Sequence, residues 1–177
     1  NLIDEFGRVR TLTDNDVDYS VLGGKKGWYI DLDMPAAVAP NGPEFPGEKA
    51  IRNIQLRGGL AFVNSVFPRP ENSCIGQAGG ATLAFCPDTG GSNCLNGRTV
   101  FDLNNDGNFN ELDNIGPSNN QTALGRIIED PAPPTDATFI GDKRVTQFGS
   151  ELDIIGTNTS RGSNTGRLSW RRLETVD

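Results

Sequence analysis

The residues best suited to chemistry are the twelve from Asp102 to Asp113, Asp-Leu-Asn-Asn-Asp-Gly-Asn-Phe-Asn-Glu-Leu-Asp. Oxygen side chains fall at loop positions 1, 3, 5, 9 and 12, with a glycine at position 6. A hard divalent cation of calcium's size takes about six to eight oxygens at roughly 2.3–2.6 Å, and this spacing supplies them. Alternate residues Asp102, Asn104 and Asp106 aim oxygens at a common centre, and Gly107 permits the sharp turn that follows. Asn108 offers its backbone carbonyl, Asn110 acts directly or through water, and Asp113 closes the site where an EF-hand-type loop carries a bidentate Glu. The shorter last carboxylate predicts a weaker affinity. Magnesium is ill served by so many protein ligands. The competing reading is a metal-free hairpin turn, since Asn-Asp-Gly is itself a turn signature. Six coincident positions favour calcium, held as a structural staple rather than as a catalytic centre.

The rest of the chain offers little reactive chemistry. It has no histidine, which excludes Ser-His-Asp and Cys-His engines, His-ligated zinc or haem, and an imidazole switch. Ser20, Ser65 and Ser73 have no base in the sequence to activate them. Asp14, Asp16 and Asp18 alternate, as do Asp31 and Asp33. On a strand such carboxylates form a solvated face more often than a metal site or a glycosidase pair. Three cysteines, Cys74, Cys86 and Cys94, fit no zinc or Cys-x-x-Cys spacing and suit a disulfide in an oxidising compartment. Cys86 and Cys94 flank the turn-rich Pro87–Gly91, so this pair is preferred over Cys74–Cys94. Three reduced thiols in a cytosolic protein remain the alternative. No Arg-Gly-Asp tripeptide is present.

The elements that must position these residues are short. The 177 residues include 22 glycines and 11 prolines, and hydrophobic residues make up only 35%, which favours short elements and many turns. No window of helical length keeps apolar residues at helical spacing. Strand patterns recur: Gly27–Leu32, with Trp28, Ile30 and Leu32 on one face, then Ala81–Phe85, Thr99–Leu103, Ala137–Ile140, Lys143–Phe148 and Arg167–Leu173. Residues 49–66 read as a hairpin across Arg57-Gly58-Gly59. Pro35–Gly47 and Pro131–Asp136 read as long surface connections. The expected class is all-β, a sandwich, barrel or propeller of short antiparallel sheets. A dockerin-type module needs a second loop and a helix after each. Here Asn114-Ile115-Gly116-Pro117 follows the loop and Thr99-Val100-Phe101 precedes it, so the loop lies between strands.

A net charge of −7 argues against nucleic-acid binding, which needs a basic face. No apolar run reaches the roughly 18 residues of a membrane-spanning helix. The chain opens on Asn1 without a basic-then-apolar leader, so a processed or partial chain is expected.

In order, these motifs resemble the C-terminal part of the PilY-type proteins, the type IV pilus biogenesis factors and tip adhesins. The pieces that carry the resemblance are Lys26-Gly27-Trp28-Tyr29-Ile30-Asp31-Leu32, Pro46-Gly47-Glu48-Lys49, and the strand pair across Arg57-Gly58-Gly59 ending at Phe67-Pro68. Next come Cys74 with Gly76, Gly79 and Gly80, then Asp88-Thr89-Gly90, Phe101–Gly107 and Gly166-Arg167-Leu168-Ser169-Trp170-Arg171. The resemblance implies that residues 26–177 are the closing part of a β-propeller domain, residues 1–25 leading into it. It implies a secreted, non-enzymatic protein at the pilus tip, working with minor pilins in pilus biogenesis, in twitching motility and in adhesion to host or abiotic surfaces. It also implies calcium at Asp102, Asn104, Asp106, Asn108, Asn110 and Asp113, tied to pilus extension and retraction. The sequence departs from the family at Phe85-Cys86-Pro87. A propeller blade takes about 40–50 residues, so three or four blades' worth is expected here. The remainder would come from the parent chain or another chain, and the isolated chain is expected to associate through open sheet edges. The alternatives are a calcium-dependent propeller hydrolase and a free-standing extracellular calcium module.

Overall fold

The computed structural model describes residues 2–4, 7–22, 24–32, 47–68, 78–116, 118, 120–128 and 132–159. Cys74, Ser73, Asp33, most of the 35–47 connection and the strand expected at 167–173 lie outside the described residues.

The chain is all-β, built from short antiparallel sheets. Among the described residues its helical turns are two 3₁₀ turns, Asn93–Leu95 and Glu111–Asp113. The large sheet is made by β1 (Leu2–Asp4), β2 (Gly7–Arg10), β3 (Lys49–Ala50), β4 (Gln55–Arg57), β5 (Leu60–Pro68), β6 (Ala78–Phe85) and β10 (Gly125–Ile128), in the order β1-β2-β10-β6-β5-β3 with β4 also on β5. The expected hairpin is present: Arg57 pairs with Leu60 across Gly58 and Gly59, both at positive φ, a conformation open to glycine at little steric cost. A second sheet runs β11 (Thr138–Ile140), β12 (Lys143–Phe148), β13 (Glu151–Thr157), β7 (Phe101–Asp102), and β8 (Asn114–Ile115) pairs with β9 (Gln121–Thr122).

β5 and β6 are buried on both faces. On one face Leu60, Phe62 and Ala84 pack with Leu95, Val100, Phe101, Leu124 and Ile155. On the other, Ala61, Val63, Leu83 and Phe85 are covered by Leu12, Trp28, Ile30 and Leu32. The near-continuous apolar runs of these two strands follow from that double burial.

Between the two sheets lies a polar node. Arg144 of β12, 1% exposed, donates to the hydroxyls of Thr82 (2.9 Å) and Thr146 (2.7 Å) and to Asn64 Oδ1 (2.5 Å). Burial lowers its pKa from the ordinary guanidinium range to about 10; the nearby Asp153 carboxylate opposes that shift and Arg126 adds to it. The unfolded guanidinium keeps its proton to higher pH. The cost of burying the charge is therefore present below about pH 10 and eases as pH rises above it. A lysine cannot span the three oxygens that the planar fork reaches. Arg144→Lys should lose roughly 1–2 kcal/mol in urea unfolding; a loss within error would show that the fork is not needed.

Two sequence expectations differ from the structure, and several strands were not expected. Gly27–Leu32 joins no sheet among the described residues, although Trp28, Ile30 and Leu32 do share an inward face. The strand expected over Thr99–Leu103 shrinks to Phe101–Asp102, because Leu103 already enters the loop that follows. β2, β10 and the internal strand β13 were not among the expected strands. The proline-dense stretch, described from residue 132, is pinned: the carbonyls of Pro134 and Thr135 accept from Arg52 Nε (3.0 Å) and Asn64 Nδ2 (2.6 Å).

Candidate metal centre

β7 delivers Asp102 into the loop, and the 3₁₀ turn Glu111–Asp113 ends it. The loop folds on itself through carboxylate and amide oxygens that accept backbone N–H groups. Asp102 accepts from Asp106 N–H and Gly107 N–H, each at 3.1 Å. Asn104 Oδ1 accepts from Asp106 N–H at 3.0 Å, and Asp106 Oδ1 from Asn108 N–H at 2.7 Å. Asn110 Oδ1 caps the 3₁₀ turn by accepting from Leu112 N–H at 2.8 Å. Asp113 reaches back across the loop, taking Leu103 N–H at 2.8 Å and Asn110 N–H at 3.1 Å. These local bonds explain why Asn and Asp dominate the segment: Asn104, Asp106 and Asn110 each tie down the backbone two residues on, while Asp102 and Asp113 reach across the loop. Gly107, at φ +83°, makes the turn a side chain would strain.

Asp102 and Asp113, at opposite ends of the loop, are 3% and 1% exposed, whereas Asp106, Asn108 and Asn110 are exposed and Asn104 is half-buried. Lys143 Nζ approaches Asp102 at 3.9 Å from a partly exposed side chain. Two buried carboxylates therefore sit in a loop of hard-oxygen donors that carries three aspartates, a set that suits calcium. The aspartates do not converge on their own. Among the described residues, the acidic and cysteine groups whose ligand atoms all lie within 4.8 Å are Cys86, Asp88 and Cys94, and there both sulfurs are spent in a disulfide. Amide and backbone carbonyl oxygens of the loop must complete any coordination shell.

The disulfide is Cys86–Cys94, the pair preferred from the sequence, with Cα atoms 5.8 Å apart. It closes the turn in which Gly90 N–H donates to Cys86 O at 2.8 Å. Gly90 is required here, since a Cβ would lie 2.5 Å from the Trp28 ring. Replacing both cysteines by alanine should cost about 2.5 kcal/mol, the loop-closure value for so short a loop. Equal urea midpoints for oxidised wild type and the double variant would remove the disulfide from the stabilising elements.

Among the described residues, Asp14, Asp16 and Asp18 do not form a centre. Asp14 accepts from the Ser92 N–H and hydroxyl, Asp18 from Ser20 N–H at 2.8 Å, and Asp16 stays exposed. Ser65 has a partner the sequence hid: its hydroxyl donates to Glu48. That carboxylate is locked by both guanidinium nitrogens of Arg10, at 2.7 and 2.6 Å. Ser65 is fully buried, so the trio is a structural tie and not an activated nucleophile. Arg10 carried no signal in the sequence because its partner lies 38 residues away.

No helix among the described residues is long and apolar enough to cross a membrane. No protein-family model and no curated protein matches the chain. Among solved structures it is similar to the crystal structure of the Pseudomonas aeruginosa PilY1 C-terminal domain, at a TM-score of 0.57 and 21% identity. The match covers 86% of this chain and 28% of that one, so the chain spans less than a third of its length. The PilY-type resemblance read from the sequence thus has a structural counterpart, and what the two share is a fold.

Proposed function

We propose that this chain is a calcium-stabilised, non-enzymatic segment of an extracellular factor associated with type IV pili, acting with minor pilins in pilus biogenesis, twitching and surface adhesion. The observation that carries the calcium reading is the 102–113 loop, whose two end carboxylates are buried and aligned by backbone N–H groups. Asp102, Asn104, Asp106, Asn110 and Asp113 hold the ion through side chains and Asn108 through its carbonyl. Bound calcium would supply the positive charge that offsets the buried carboxylates and fixes β7 against the 3₁₀ turn. The protein's part is to hold the oxygens in place and to tie the loop to β13 through β7.

The pilus reading rests on the fold shared with the PilY1 C-terminal domain and on the collinear motifs. The disulfide is in keeping with an extracellular site. A propeller is the finer fold reading. The second sheet has the four antiparallel strands of a blade, and it leaves Ile140, Leu152 and Ile154 exposed, as a face awaiting another sheet does.

The test is genetic. Cells whose copy of this gene carries Asp106→Ala should assemble fewer surface pili and spread less by twitching, at normal levels of the protein. Pili and spreading equal to wild type in a full gene deletion would end the pilus reading. A defect in the deletion that Asp106→Ala fails to reproduce would end only the calcium part.

A further inference from the structure

After β2 the chain crosses the outer face of the large sheet, turns between Asp18 and Lys25, and returns over the same face. The turn is closed by Lys25 N–H to Asp18 O (3.3 Å) and Gly24 N–H to Ser20 O (3.2 Å). Beyond that closure the two arms part, leaving a groove of about 460 Å³ lined by Thr11, Thr13, Asp16, Lys25, Tyr29 and Asp31 among others.

The returning arm has the burial of a strand. Trp28, Ile30 and Leu32 are half-buried against Ala61, Val63, Leu83 and Phe85, while Tyr29 and Asp31 are exposed, the period-two alternation of an extended chain. Yet among the described residues the backbone of 26–30 makes no hydrogen bond, and neither does that of 11–17 facing it across the groove. The arms are nonetheless held. Trp28 Nε1 donates to Pro87 O at 3.0 Å and its ring meets Phe85 edge-on at 5.3 Å. Tyr19 donates to Asp88 O at 2.6 Å, and Asp14 grips Ser92. All of these anchors fall on or beside the Cys86–Cys94 loop. An open strand edge fixed in advance spares a pairing strand much of the ordering cost.

The chemistry of the groove selects its occupant. Of the charged side chains on the two arms, Asp16, Asp31 and Lys25 line the groove, two carboxylates against one ammonium.

We propose that the 26–30 edge is a strand-addition site that takes an extended, basic peptide segment of a partner protein into the groove between the two arms. Main-chain pairing with the open edge provides the affinity. Lysine or arginine side chains at alternate positions lie on the outer face with Tyr29 and Asp31 and within reach of Asp16, and the apolar ones between them turn to the inner face beside Trp28 and Ile30.

The probe is a fluorescently labelled peptide of about seven residues alternating Lys and Val, enough to cover the edge with a residue to spare at each end. It should bind the oxidised chain. Its Glu–Val counterpart should bind about tenfold more weakly, and Asp16→Asn, at an exposed side chain, should weaken the Lys–Val peptide about threefold with unchanged melting. A Lys–Val peptide N-methylated at alternate amides keeps every charge and loses the ladder donors, and it should not bind. Amides 26–30 should exchange fast in the free chain and slowly in the complex. The proposal is overturned by absence of binding for the Lys–Val peptide, by equal binding of the N-methylated or Glu–Val peptide, or by amides 26–30 already protected in the free chain, which would mean that another part of the chain fills the groove.

Discussion

Calcium added to chelated protein should raise the melting temperature by roughly 5–10 °C at about a hundred times Kd, and Asp106→Ala should abolish the rise. A ligand that binds only the folded chain stabilises it by about 2.7 kcal/mol at that excess, and a chain of this size gains roughly 2–4 °C for each kcal/mol. Asp106 is the residue to replace because it is exposed. Its loss removes a proposed calcium ligand and the Asn108 N–H contact while leaving the core untouched. Asp113→Ala is the harsher companion. It strips acceptors from Leu103 N–H and Asn110 N–H, so it should lower the melting temperature of the chelated protein as well. Asp106→Ala should leave that baseline nearly unchanged. The contrast separates a metal ligand from a loop tie. A melting temperature that ignores calcium in wild type ends the calcium reading outright.

Glu48→Ala should lose about 3–5 kcal/mol, the cost of breaking a buried ion pair by removing one partner. The Glu48 side chain has no solvent exposure and that of Arg10 only 4%. The carboxylate takes both guanidinium nitrogens and the Ser65 hydroxyl, joining β2 to β5 from the residue just before β3. Removing Glu48 takes away the carboxylate that both terminal guanidinium nitrogens of the buried Arg10 contact. Replacing the two together, Arg10→Met with Glu48→Leu, should cost far less than Glu48→Ala alone, because apolar side chains of similar volume need no desolvation. Chemical denaturation of the three variants reads this directly. A Glu48→Ala loss under about 1 kcal/mol, within the range of a surface pair, would show that water reaches the pair.

The comparison with PilY1 bears on both results. A shared fold at 21% identity leaves the pair and the loop to be tested in this chain. The calcium titration probes the loop and the denaturation series probes the sheet, so one can fail without the other.

The sequence alone determined what is written in local spacing. The 102–113 loop was legible because most of its bonds span only a few residues and all of them fall within twelve, and Asx side chains tie the backbone whatever the rest of the chain does. The Gly58-Gly59 hairpin and β12 were legible for the same reason, as was the Cys86–Cys94 pair across its turn. The all-β class followed from turn density. Tertiary structure alone decided the rest. Arg10–Glu48 and Arg144 with Asn64 and Thr82 join residues 38, 80 and 62 apart in sequence, and no periodicity records which polar residue will be buried opposite which. Gly27–Leu32 shows the boundary most clearly. Its alternation correctly placed Trp28, Ile30 and Leu32 on the core, because side-chain direction is a local property of an extended chain. Whether its backbone found a partner depended on how far the two arms separate after Asp18, and only the packed structure determines that.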